Sequence, residues 1–64
     1  MILILKQGTD RQKVDKLCSR MQTAYGVQTS PIFGSNTTII GLVGDTSDID
    51  VSSLEMDESI ERIL

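Results

Sequence analysis

Thr38-Ile39-Ile40-Gly41-Leu42-Val43-Gly44-Asp45 holds an apolar run with no alternation of polar residues, and Met1-Ile2-Leu3-Ile4-Leu5-Lys6 repeats the pattern at the start of the chain. A strand with one wet face alternates apolar and polar side chains, whereas a strand buried on both faces does not. Both segments therefore read as central strands whose two faces are to be covered. A chain of 64 residues has little material for that, since a domain of this size buries only about 60% of the surface its unfolded form exposes. No disulfide can compensate, because Cys18 is the single cysteine, and the absence of histidine leaves no Cys/His cluster for structural zinc. The expectation is one small domain that completes itself against a partner.

Working outward, Gln7-Gly8-Thr9-Asp10 reads as a turn leading into a helix. Thr9 is a suitable N-cap and Gln12, three residues on, completes a capping box. Val14, Leu17, Cys18, Met21 and Tyr25 recur at spacings of three and four, which predicts an amphipathic helix over residues 10–25 with Arg11, Lys13, Asp15, Lys16 and Arg20 outward. Gly26 is its C′ stop. Residues 27–33 read as a strand, Gly34-Ser35-Asn36 as a hairpin loop, and residues 37–43 as the return strand. Pro31 cannot donate to a ladder, which places its strand at a sheet edge. Residues 48–55 predict a short helix turned inward through Ile49 and Leu54. Residues 59–64 close the chain as a second edge strand, its Glu61 and Arg62 suited to that place.

The order is β-α-β-β-α-β. With the two unalternating strands in the middle, the sheet order becomes 4-1-3-2, an α+β ferredoxin-like sandwich with a four-stranded antiparallel sheet and both helices on one face. One parity of the central strands then lies under the helices, and the other forms an apolar patch of the kind that marks an interface.

Charge is unevenly placed along the chain. Lys6, Arg11, Lys13, Lys16 and Arg20 oppose only Asp10 and Asp15 in residues 1–20, whereas Arg62 alone opposes seven acids in residues 21–64, giving −3 overall. The bland reading is two solvated surfaces; the functional one is steering of a docking partner. Nucleic acid is not an expected partner, since Tyr25 and Phe33 are the only aromatics and the balance is acidic. No run approaches the ~18 apolar residues of a membrane span, and no signal-peptide pattern opens the chain, so the expected location is cytoplasmic. A lone thiol suits a reducing compartment.

Catalytic chemistry finds no constellation. A Ser-His-Asp triad is impossible without histidine, and no GxGxxG or P-loop occurs. Asp45, Asp48, Asp50, Glu55 and Asp57 suggest a cation site, but an EF-hand loop from Asp48 needs Gly and Glu where Ser53 and Ser59 stand, so no metal site is assigned. Cys18, on the apolar stripe, reads as a buried structural thiol, and Met21 and Met56 as core fillers. Gly41, inside a central strand, marks a bulge or a close approach by another backbone or ligand. Gly8 and Thr9 at a helix start could hold a carboxylate or phosphate, although every capped helix shares that geometry.

The opening Met1–Gly8, the Thr38–Asp45 stretch and the closing Ser59-Ile60-Glu61-Arg62-Ile63-Leu64 together resemble one family, over essentially the whole chain. It is the N-terminal ferredoxin-like, ACT-like regulatory domain of DAHP synthase (3-deoxy-7-phosphoheptulonate synthase). The resemblance implies an enzyme condensing phosphoenolpyruvate with erythrose 4-phosphate, the first step of aromatic amino-acid (shikimate, chorismate) biosynthesis. Its chemistry would lie in a metal-dependent (β/α)8 barrel beyond Leu64. Residues 1–64 would then be a single non-catalytic regulatory domain with no cofactor of its own. Its partners would be the barrel and sister domains in a homo-oligomer, with an aromatic amino acid or chorismate-pathway compound as effector. Effector contacts are expected at Gly8, Thr9, Thr29 and Ser30, at a subunit interface. A tyrosine-regulated member carries a His-x-Ser pair on its second strand; Ser30 and Ile32 stand there in this chain, so tyrosine sensing does not carry over. Two alternatives have the same topology. One is a free-standing ACT-like amino-acid-binding protein. The other is an acylphosphatase-like enzyme, for which Arg20 and Asn36 lack the required anion-cradling loop.

Overall fold

The computed structural model describes residues 1–64. Its elements are β1 (Ile2–Leu5), α1 (Arg11–Tyr25), β2 (Gln28–Phe33), β3 (Thr38–Val43), α2 (Val51–Glu55) and β4 (Ile60–Ile63). The sheet is antiparallel with order β2-β3-β1-β4, the ferredoxin-like arrangement that the two central apolar strands imply. Both α1 and α2 send buried side chains into the same core as the central strands, so the helices share one face of the sheet.

That core is wholly apolar. Leu3 and Leu5 of β1 and Ile40 and Leu42 of β3 meet Val14, Leu17, Cys18 and Met21 of α1, with Val27, Ile49, Leu54 and Ile60 closing its margins. The pairing Leu3↔Ile40 puts both side chains under the helices, because paired residues point to the same side of a sheet. The alternate residues pair as Ile2↔Gly41 and Ile4↔Ile39, and they point away from the helices. Ile2 is 40% and Val43 60% exposed. The two central strands are therefore apolar on both sides yet covered on one.

Local details differ from the sequence expectation in four places. The N-cap of α1 is Asp10, whose carboxylate accepts from the Lys13 N–H at 2.8 Å. Thr9 instead donates its hydroxyl to the Lys6 carbonyl at 2.7 Å, closing the turn that leaves β1. The helix thus begins one residue later and the Thr9–Gln12 capping box does not form. Second, α2 spans only five residues, with Asp50 as its N-cap; Ile49 and Leu54 nevertheless turn inward as their apolarity requires. Third, Met56 is no core filler: as the C-cap residue of this short helix it is 84% exposed. Fourth, register runs unbroken through Gly41, so that glycine makes no bulge; the irregularity lies between β1 and β4, at Ile4 and Leu5.

Helix α1 ends as its sequence predicts. Gly26 takes a left-handed φ of 68° and donates its N–H to the Gln22 carbonyl at 2.9 Å, a conformation that costs a residue with a Cβ roughly 1 kcal/mol.

Both edges of the sheet are blunted. Gly34 N–H donates to the Thr37 carbonyl, and counting alternately back along the β2–β3 register makes Pro31↔Ile40 a pair without ladder bonds. The nitrogen of Pro31 therefore faces the open edge, where its missing N–H interrupts any ladder with an added strand. At the other edge, β4 carries Glu61 and Arg62 together with the register shift against β1.

Candidate functional site

Two surfaces stand out, one apolar and one polar. The apolar surface is the sheet face opposite the helices. The register aligns Arg62, Ile4, Ile39 and Ile32 in one row across all four strands. A second row runs Leu64, Ile2, Gly41 and Ser30, joined at one end by reciprocal backbone bonds between Ile2 and Leu64 at 3.0 and 2.8 Å. Ile32 is 57% and Leu64 65% exposed. Gly41 lies in the middle of this face as a notch. A Cβ there would meet Ser30 no closer than 3.8 Å, an ordinary contact. Neither internal crowding nor a positive φ requires glycine at this position, whereas its lack of a side chain lets another molecule come close to the backbone.

The polar surface is an open depression of about 430 Å³ where β1 gives way to α1. It is lined by Gly8, Thr9, Asp10, Lys13, Asp57, Glu58 and Ser59. Its geometry rests on Asp57, whose Oδ1 accepts from both the N–H (2.9 Å) and the hydroxyl (2.7 Å) of Ser59, while Oδ2 sits 3.3 Å from Lys13 Nζ. Partial burial works to raise the Asp57 pKa. The Ser59 hydroxyl and backbone N–H, with the Lys13 ammonium, outweigh it and hold the carboxyl below its ordinary value. The Asp-x-Ser motif recurs at Asp45-Thr46-Ser47, where Ser47 donates its N–H (3.0 Å) and hydroxyl (2.6 Å) to Asp45 Oδ1. Those two bonds lower the Asp45 pKa. Two members of the acidic run are thus occupied in turn formation, and no three Asp, Glu, Cys or His side chains come together as a metal-binding group.

The four residues expected to contact an effector fall in separate places. Gly8 and Thr9 line the polar depression, beyond the end of β1. Thr29 and Ser30 lie on β2, level with Leu42 and Gly41 and hence with the start of β1. Thr29 faces the helices and its hydroxyl accepts from Gln22 Nε2 at 2.8 Å, whereas Ser30 belongs to the open sheet face. One copy of the chain does not bring the two pairs together. Sequence reasoning had passed over Lys13, Asp57 and Ser59 as parts of the depression; the Asp-x-Ser spacing was the signal for two of them. Cys18 is buried within the core, as its place on the helix stripe implies. No helix is long and apolar enough to cross a membrane.

Comparison with known proteins gives one family. The model of the DAHP synthase ferredoxin-like domain matches residues 1–64. Among solved structures, the crystal structure of phospho-2-dehydro-3-deoxyheptonate aldolase (DAHP synthase) from Thermotoga maritima superposes with a TM-score of 0.81 at 23% sequence identity. The alignment covers 95% of this chain and 18% of that one, so the chain corresponds to under a fifth of that enzyme's length. At this identity the structural likeness speaks for the fold alone. No curated protein sequence matches.

Proposed function

Because the chain belongs to the family of DAHP synthase ferredoxin-like domains, we propose that it is a non-catalytic regulatory and oligomerisation domain of that enzyme. The observation that carries the reading is the uncovered apolar sheet face, where the register lines up Ile4, Ile39 and Ile32. In this reading the condensation of phosphoenolpyruvate with erythrose 4-phosphate, and the divalent metal it uses, belong to a barrel outside residues 1–64. The domain contributes a surface. Ile4, Ile32, Ile39 and Val43 form the apolar contact, Arg62 sits at its margin, and Gly41 admits a close approach. The occupant is the barrel or a sister domain, brought into place by an aromatic amino acid or a chorismate-pathway compound. Gly8, Thr9, Thr29 and Ser30 are its proposed effector contacts. Since one copy separates these pairs, an effector touching both sits between two subunits.

The test uses the enzyme that carries this domain, intact, with Ile32→Glu plus Val43→Glu, and with residues 1–64 removed. Phosphoenolpyruvate consumption is followed with and without tyrosine, phenylalanine and prephenate, and mass is measured by analytical ultracentrifugation. Basal turnover is expected to persist in all three proteins, with effector sensitivity or assembly lost in both altered ones. If removal of the domain abolishes basal turnover while assembly stays intact, the domain takes part in catalysis and the reading fails. It also fails if both altered proteins match the intact enzyme in assembly and in response to every effector.

A further inference from the structure

We draw no further inference here: the strongest candidate, the apolar sheet face around the Gly41 notch, belongs to the contact surface already proposed, and nothing in the structure shows what covers it.

Discussion

Lys13 and Asp57 tie the first turn of α1 to the loop before β4, in a fold where most other links between elements are backbone or apolar. The Lys13 side chain is 43% exposed, so water screens the ion pair, and the two bonds from Ser59 supply most of the stabilisation. A carboxyl whose pKa is lower in the folded than in the unfolded chain stabilises the fold above the unfolded value. That contribution is lost as pH falls through the folded value, here below about pH 4. Asp57→Asn should therefore cost about 1 kcal/mol at pH 7 and progressively less as pH falls below about 4, as read from urea midpoints across that range. A loss that stays the same at every pH would show that Asp57 acts by packing rather than by charge. Gly41 gives the opposite kind of prediction. Because a Cβ fits there at 3.8 Å and strand propensity favours a side chain, Gly41→Ala should leave the isolated domain as stable or slightly more so by thermal melting. In the enzyme the same change should weaken any contact that uses the notch, and a destabilised domain would mean the glycine serves the fold instead.

At the scale of elements, sheet order was legible because it follows from which strands lack a wet face, and only β1 and β3 do. Helix α1 was legible from its spacing and its Gly26 stop. Its first residue was not, because Thr9 and Asp10 are adjacent and either can accept from the N–H three positions on; Asp10 takes the cap once the Thr9 hydroxyl turns back to Lys6. The length of α2 was obscured in the same way, with Asp48 and Asp50 both suited to cap a helix. The polar depression is not legible in the sequence, because its walls come from segments nearly fifty residues apart and composition carries no sign of that juxtaposition. Pro31 was legible as an edge residue, and the register adds the direction of its nitrogen. Pro31→Val restores an outward N–H in the middle of β2, a six-residue strand with no charged side chain. The variant should keep its fold by circular dichroism but associate as concentration rises, since an unguarded edge is a template for strand addition. A variant that stays monomeric at millimolar concentration would show that the edge is protected by something other than Pro31.

For the whole molecule, the question is whether the bare sheet face reflects a core that the chain fails to close. The radius of gyration is 10.7 Å, and a compact chain of this length is expected at about 10.7 Å. The accessible surface is 4243 Å², near the roughly 4,000 Å² that a monomer of this mass exposes. The helix side is complete, so the open face is a surface in its own right. Its size bears on how it can be used. Four strands about 4.8 Å apart and about five residues long, at about 3.3 Å each, give a projected area on the order of 300 Å². Ile2, Ile32, Val43 and Leu64 stand out from that plane, so two such faces together bury on the order of 1,000 Å² of accessible surface, only at the lower margin of a stable specific interface. Contact through this face alone is therefore weak between free domains. It becomes significant when a common scaffold raises the effective concentration toward about millimolar. The isolated domain should sediment as a monomer at 100 μM (~0.1 mM, below that effective concentration), with or without Val43→Glu. Joined to an oligomeric scaffold, the unaltered domain should protect the amides of β1 and β3 from hydrogen exchange more than the Val43→Glu form does. A tight dimer of the isolated domain that survives Val43→Glu would place its self-association elsewhere, on the helix layer or an edge, and would remove the sheet face from the proposed mechanism.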